Sequence, residues 1–363
     1  MVRYRWNQHS PAINKMVLMN LLPRTRALAL FTCLIVQSTW AMSARSEALH
    51  TMIVPKPADS GQHTAVHCMR PSHPSSEAVL FVHGASFPTR LAAAFEFKSG
   101  DSWLSFVASR GFLACGLDFS GFGASTRPDE MAATPAGRTP LGRAPQAADE
   151  ISQAVTSLRR EFHTRSVHVV AHSWGTIPAA RFAADHPHDL ATLVLFGPIV
   201  AREQAASAPV NTSWWSIRPK ARYEQLRFKD TLPADLDLLE PAVHERWASE
   251  FARSGPNPSA TVNDELRIPA GPLADIEAAH RGNFPYAASK VSVPVMVIYG
   301  DYDTETDDRD AEVFLKGFTA SPLRWRVRLD HGTHVMHLET NRRSLYEAVQ
   351  AFIAASSASS ARR

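Results

Sequence analysis

The chain has few cysteines, only three in 363 residues, and no C-x-x-C pair, so cysteine-based metal and redox motifs are excluded. It also lacks a basic stripe with interleaved aromatic residues, which argues against binding nucleic acid. Nothing in its composition, with 45% hydrophobic and 20% charged residues, indicates disorder or a collagen-like chain. We therefore expect a globular protein with a sizeable core.

The basic excess of the chain lies entirely in its first 41 residues. They contain five Lys and Arg residues and no Asp or Glu, and removing these five charges from the net charge of +3 leaves −2. An apolar run of ten residues, Ala27–Val36, follows them, whereas a helix needs ~20 residues to span a bilayer. We predict that residues 1–41 are a signal peptide cleaved after Ala41, so that the protein is exported to the periplasm or secreted without a stable membrane span. An uncleaved membrane anchor is the alternative.

Cleavage there leaves two cysteines, Cys68 and Cys115. A disulfide between them is compatible with an oxidising compartment, but nothing in the sequence requires it. The three histidines His331, His334 and His337 are spaced three residues apart, yet no carboxylate or cysteine partner completes a metal site. We predict neither a metal nor another cofactor.

Short apolar segments alternate with helical patterns along most of the chain. Five of these segments are apolar throughout, which fits strands buried on both faces, and the sixth alternates polar and apolar residues, as is typical near a sheet edge. The predicted strands are 77–84, 111–118, 166–173, 190–198, 293–301 and 323–332. The predicted helices are 102–110, 146–162, 176–186, 309–318 and 342–355. This alternation predicts an α/β fold with a mainly parallel, doubly wound sheet.

The alternation stops after Pro198 and resumes near residue 290. The intervening segment contains several prolines and no buried-strand pattern, and it is longer than an ordinary loop. We predict an inserted helical cap over residues 199–290, between two parts of one core, 42–198 and 291–355. Residues 356–363 are expected to form a flexible tail.

One serine, Ser173, stands in the segment VVAHSWG between a predicted strand and a predicted helix. A nucleophilic serine on such a tight turn needs small residues two positions before and after it, and Ala171 and Gly175 meet that demand. The placement at the carboxyl end of a strand suits a ligand site in an open α/β sheet. Taken alone, the segment also fits a serine that caps a helix.

An acidic segment and a histidine segment each follow a later predicted strand. They are DYDTETDD, residues 301–308, and THVMHLE, residues 333–339. A serine hydroxyl is a weak nucleophile without a base, and the base must be oriented by a third group. The order serine, acid, histidine therefore predicts a catalytic triad.

Five segments together resemble the α/β-hydrolase superfamily over most of the chain past residue 75. They are VHGAS (82–86), GLDFSGFGAS (116–125), AHSWG (171–175), VPVMVIYGDYD (293–303) and GTHVMHLE (332–339). The resemblance implies an α/β-hydrolase fold with Ser173 as nucleophile, Asp303 as acid and His334 as base. It selects His334 because Glu339 follows five residues later, and it leaves Asp301 as the alternative acid.

The resemblance also implies two donors to an oxyanion, the backbone N–H groups of Ala85 and Trp174. The aromatic residues Phe87, Trp214 and Trp215 are candidates for an apolar substrate pocket, as is the indole of Trp174. The alternative is that such residues form the packing core of the cap.

The predicted function is that of a serine hydrolase cleaving a carboxylic ester, a lactone or an activated amide of a small molecule through an acyl-enzyme. The motif SWG is similar to that of proline iminopeptidases and suggests an aminopeptidase as the alternative, although those enzymes usually carry HGGPG where this chain has HGASF. Haloalkane dehalogenases and epoxide hydrolases use an aspartate in place of Ser173, which argues against both activities. Cofactor-free haloperoxidases share the serine triad, which leaves perhydrolysis open as a side activity. A non-catalytic binding protein of the same fold is the contrasting hypothesis.

Overall fold

The structure is a computed structural model that describes residues 48–56, 61–202 and 209–360. The predicted signal peptide, residues 1–41, lies outside the described residues. Within the described ranges, no helix is long and apolar enough to cross a membrane.

Within the described residues, ten strands form two sheets. They are β1 (His50–Pro55), β2 (His63–Met69), β3 (Glu77–Val82), β4 (Leu113–Asp118), β5 (Ser166–His172), β6 (Thr192–Phe196), β7 (Trp214–Ile217), β8 (Leu266–Pro269), β9 (Val295–Gly300) and β10 (Arg324–Leu329). The central sheet has eight strands in the order β1-β2-β4-β3-β5-β6-β9-β10. β2 pairs antiparallel with β1 and with β4, and the other neighbouring strands of this sheet pair in parallel. All six predicted strands are present as members of this mainly parallel sheet.

Helices cover both faces of the central sheet. They are α1 (Trp103–Ser109), α2 (Ala144–Phe162), α3 (Thr176–Asp185), α4 (Pro219–Leu226), α5 (Ala248–Arg253), α6 (Gly271–His280), α7 (Asp308–Lys316) and α8 (Arg342–Ser360). One apolar cluster joins the sheet to α2 and α3, and a second joins it to α1 and α8. The sheet is therefore buried on both faces, as the apolar strands require.

Helix α8 continues to Ser360, where the sequence predicted a flexible tail from residue 356. Phe352 and Ile353 are fully buried and hold this part of the helix against the core. The Ala- and Ser-rich residues that follow include neither proline nor glycine, so nothing interrupts the helix.

The segment between β6 and β9 contains helices α4, α5 and α6 and also the antiparallel pair β7–β8. The prediction of a helical insertion is therefore incomplete, because the aromatic and β-branched residues of WWSI favour a strand. A π-helical turn, Val243–Trp247, precedes α5. The Trp247 indole is fully buried and donates a 3.0 Å hydrogen bond to the carbonyl oxygen of Leu91 in the core.

A disulfide joins Cys68 of β2 to Cys115 of β4. The two residues are directly opposite each other in the antiparallel register, and both are fully buried. The pairing that the sequence left open is thus decided by the register of two neighbouring strands.

Candidate active site

Ser173 follows β5 directly, on the sharp turn that leads into α3. Its φ of +57° lies in the left-handed region, which a residue with a side chain adopts only where the surrounding structure enforces it. A Cβ placed on Gly175 would stand 2.4 Å from the carbonyl oxygen of His83, and Ala171 is fully buried. The turn therefore needs small residues on both sides of the serine, and alanine is small enough at the first position.

His334 joins Ser173 to Asp303. Its Nε2 lies 2.8 Å from the Ser173 Oγ, and its Nδ1 lies 3.0 and 3.2 Å from the two carboxylate oxygens of Asp303. All three side chains are buried. Burial lowers the pKa of His334, but the charge and hydrogen bond of Asp303 and the charge of Glu305 outweigh it and hold this pKa above its ordinary value. The imidazole is thus placed to take the serine proton.

The structure places Asp303, and not Asp301, against His334. The backbone N–H of Glu305 donates a 2.8 Å hydrogen bond to the Oδ1 of Asp303, which orients its carboxylate. Asp301 instead is exposed and accepts a 3.0 Å hydrogen bond from the N–H of Gly332. The acidic segment therefore supplies the Asp303 carboxylate to His334. The Asp301 carboxylate instead holds the loop that precedes His334.

Gly197, just after β6, gives the acid and the histidine room to meet. Its φ of +51° is left-handed, and a Cβ on it would lie 2.9 Å from the Asp303 Oδ2 and 3.0 Å from the His334 Nδ1. Gly197 was not among the predicted site residues, although a glycine that ends a predicted strand is a visible signal.

Glu339 anchors the loop that carries His334. It is buried and accepts a 3.0 Å hydrogen bond from the backbone N–H of Thr333 and a second one from the Thr333 hydroxyl. Burial raises the pKa of Glu339 to about 7. Glu339, which pointed to His334 in the sequence, therefore holds Thr333, the residue immediately before His334.

Two further histidines support His334 from the interior. His172 lies next to the nucleophile in sequence, and its Nε2 donates a 2.7 Å hydrogen bond to the backbone carbonyl oxygen of His334. Burial and the neighbouring histidines hold the pKa of His172 well below its ordinary value, and burial lowers that of His337 to about 3. Both rings are therefore neutral, and their centroids lie 4.6 Å apart.

His331 is exposed and stands apart from this cluster, with a left-handed φ of +55°. Across the parts of the chain that the structure describes, no group of His, Cys, Asp or Glu has the arrangement of a metal site.

The predicted oxyanion donors lie beside Ser173. A Cβ on Gly84 would stand 3.1 Å from the Ser173 Cβ, so the loop containing Ala85 passes close to the nucleophile, and Trp174 follows the nucleophile directly. Neither the N–H of Ala85 nor that of Trp174 donates a hydrogen bond to any described residue. Two unoccupied donors next to a nucleophile can stabilise an oxyanion.

Two buried polar side chains hold the loops that border the site. His83 uses Nδ1 to donate a 2.7 Å hydrogen bond to the Gly84 carbonyl oxygen, and its Nε2 accepts one of 3.2 Å from the N–H of Phe119. Asp118 accepts hydrogen bonds from His67, at 2.9 Å, and from two backbone N–H groups of the adjoining turns. These polar groups are used in structural hydrogen bonds.

The Trp174 indole does not line a pocket. It is 1% exposed, and its Nε1 donates a 3.1 Å hydrogen bond to the Oδ2 of Asp275 in α6. Asp275 also accepts a hydrogen bond of 2.6 Å from the N–H of Ala144, at the start of α2, and one of 2.5 Å from the Nε of Arg143. Trp174 therefore ties the nucleophile turn to the insertion, through a carboxylate that the sequence analysis missed.

Of the predicted pocket residues, Phe87 lies two residues after Ala85 and packs against His337. It is buried, and its ring centroid is 5.2 Å from that of Trp247 and 6.3 Å from that of His337.

Trp214 and Trp215 contribute instead to the packing of the insertion. The Trp214 indole donates a 2.8 Å hydrogen bond to the carbonyl oxygen of Ala133, and the Arg267 guanidinium carbon lies 4.5 Å from the centroid of its ring. Trp215 packs against the larger apolar cluster. No hydrogen bond or ring contact among the described residues joins either indole to the triad.

Comparisons with known proteins show the family and the fold of the chain. The model of the family described as serine aminopeptidase, S33, matches residues 101–341, well over half of the chain.

Three solved structures illustrate the shared fold, and each is under 25% identical, so the likeness shows the fold alone. A soluble variant of monoglyceride lipase from Saccharomyces cerevisiae is 12% identical with a TM-score of 0.57, and the match covers 87% of this chain and 98% of that one.

The thioesterase domain from the curacin biosynthetic pathway is 15% identical with a TM-score of 0.56, and the match covers 84% of this chain and 99% of that one. Naproxen esterase (carboxylesterase NP) from Bacillus subtilis is 13% identical with a TM-score of 0.51, and the coverage is 84% and 91%. No curated protein matches the chain in sequence.

Proposed function

The chain belongs to the serine aminopeptidase S33 family of α/β-hydrolases and is a hydrolase, and on that basis we propose that it cleaves carboxylic esters of small molecules through an acyl-enzyme on Ser173. The observation that carries the proposal is the unbroken series of contacts from the Ser173 Oγ through His334 to Asp303, with distances of 2.8 and 3.0 Å. This arrangement is what converts a serine hydroxyl into a nucleophile at neutral pH.

In the first half-reaction, the Oγ of Ser173 attacks the ester carbonyl carbon while the Nε2 of His334 accepts the hydroxyl proton. Asp303 accepts a hydrogen bond from the Nδ1–H, which keeps the lone pair on Nε2 and stabilises the imidazolium. The N–H groups of Ala85 and Trp174 stabilise the oxyanion, and each such donor is typically worth about a hundredfold to a thousandfold in rate.

The tetrahedral intermediate then collapses, and His334 returns the proton to the departing alcohol. In the second half-reaction, water attacks the acyl-enzyme and gives its proton to His334. Collapse of this second intermediate releases the carboxylic acid, and the Ser173 hydroxyl is restored. No group other than these residues and water is needed to balance the reaction.

Acyl chemistry is supported by the names of the three structures with the same fold, a lipase, a thioesterase and an esterase. An aminopeptidase is the second candidate, because the matching family is described as such. Proline iminopeptidases usually carry HGGPG at the loop of the oxyanion donors, where this chain has HGASF. We therefore favour ester over aminoacyl substrates.

The test compares the wild-type protein with Ser173→Ala on short 4-nitrophenyl esters and on aminoacyl 4-nitroanilides. We expect ester hydrolysis by the wild type, and a loss of at least about a thousandfold in the variant because the nucleophile is gone. A fluorophosphonate probe, which reacts with activated serines, should label the wild type only. Equal activity of the two proteins would reject the assignment, and a wild type that neither hydrolyses nor is labelled would favour a binding protein.

Export also remains a proposal, in which residues 1–41 are removed as a signal peptide. The disulfide between Cys68 and Cys115 supports it, because such bonds form and persist in oxidising compartments.

A further inference from the structure

One arginine of the insertion, Arg222 on α4, approaches the triad. Its guanidinium carbon lies 5.9 Å from the centroid of the Phe87 ring, and Phe87 stands two residues after the oxyanion donor Ala85. Burial chiefly lowers the pKa of His172, and the positive charge of Arg222 adds to this effect, whereas it opposes the rise of the pKa of His334. The guanidinium is therefore within electrostatic reach of the catalytic base.

Arg222 has no carboxylate partner, unlike its neighbours. Arg218 pairs with Glu265 at 3.0 Å, and Arg227 pairs with Asp237 at 2.6 Å. No described carboxylate forms an ion pair with Arg222. Burial alone lowers the pKa of Arg222, to about 10, so the group remains charged at neutral pH.

The hydrogen-bonding capacity of this guanidinium is only partly used. Its Nη1 donates a 2.9 Å hydrogen bond to the Gln225 side-chain oxygen, whereas its Nε is fully buried and has no acceptor. Nε and Nη2 share one edge of the planar group, and this edge can bind a carboxylate through two parallel hydrogen bonds. Arg222 as a whole is half-buried, but a buried Nε–H without an acceptor is costly unless an anion pairs with it.

We propose that Arg222 binds an anionic oxygen group of the substrate, so that the enzyme prefers esters carrying a carboxylate to neutral esters of the same size. The proposal rests on the ester hydrolysis proposed above and adds the substrate class. Because the guanidinium lies over Phe87 and not over the serine itself, the anionic group is separate from the ester that reacts.

The experiment uses two pairs of esters, because the anion can belong to the acyl or to the alcohol part. The acyl pair is mono-4-nitrophenyl glutarate and 4-nitrophenyl pentanoate. The alcohol pair is 4-acetoxybenzoate and its methyl ester. For each pair the readout is the ratio of kcat/KM for the anionic ester to that for the neutral one, compared between proteins so that the intrinsic reactivity of the esters cancels.

The variants are R222Q and R222K, with K220Q as the matched control because Lys220 is an exposed cation on the same helix. Removing one partner of a desolvated charge pair should lower the ratio about 30-fold or more for R222Q in at least one pair of esters. R222K keeps the charge but loses the planar fork, so it should show a smaller fall. K220Q should leave the ratio unchanged.

Circular dichroism melting establishes that each variant is folded, and R222K replaces R222Q if the latter is not. An unchanged ratio in both pairs overturns the proposal while leaving the ester hydrolysis intact. If the wild type hydrolyses no ester, calorimetric titration with glutarate and with 4-hydroxybenzoate decides instead. Binding that is lost in R222Q supports the anion site, and equal binding or none overturns it.

Discussion

Reduction of the Cys68–Cys115 disulfide should lower the free energy of unfolding by about 4 kcal/mol. The two cysteines are 47 residues apart in sequence, and the loss of chain entropy expected for a loop of this length is about 4 kcal/mol at 25 °C. Both cysteines are fully buried, and the reduced thiols would occupy the same space. The effect therefore comes from the unfolded chain, with no cavity left behind in the native state.

The measurement is equilibrium unfolding in urea, followed by far-ultraviolet circular dichroism, with and without a phosphine reductant. The buried bond becomes accessible to the reductant on unfolding, so the difference between the two curves gives its contribution. The control is the double variant C68A/C115A, whose curve should be the same in both conditions. Ester hydrolysis by the folded reduced protein should persist, because neither cysteine contacts the triad.

A difference below about 1 kcal/mol between the two curves of the wild type would refute this reasoning, since it falls well under the entropy expected for the loop. It would mean that β2 and β4 do not pair in the register that sets the two residues opposite each other. A folded, reduced but inactive protein would instead show that the bond positions the loop after β4.

Two further predictions concern the base and the N-terminus. Because His334 must be neutral to accept the serine proton and its pKa is raised above 6.5, kcat/KM should rise with pH through a midpoint above 6.5. Asp303→Asn should move this midpoint to lower pH and lower the plateau by about 10⁴-fold, and a pH–rate profile with an unmoved midpoint would contradict the pairing of His334 with Asp303. The intact mass of the exported protein should correspond to a chain that begins at Met42, whereas a mass that includes residues 1–41 would contradict cleavage.

The strands and helices could be predicted from the sequence because burial imposes a local pattern of apolar residues. Five predicted strands are apolar throughout because both of their faces are covered, and the sixth alternates because it lies at the sheet edge; all six are present. β2 was missed although it is almost wholly buried, because Thr64 and His67 interrupt its apolar run. The His67 ring can be buried because its Nε2 is satisfied by a hydrogen bond to Asp118, 51 residues away.

The sequence by itself determined the fold class and the residue types of the triad, since spacing, small residues around Ser173 and the order of the motifs are local properties. Only the tertiary structure decided which carboxylate reaches His334, which cysteines pair, and that the Trp174 indole is bound by Asp275 and faces no pocket. It alone brought Arg222 over Phe87 without a carboxylate partner among the described residues. Such contacts depend on strand register and on the packing of distant segments, which local periodicity does not encode.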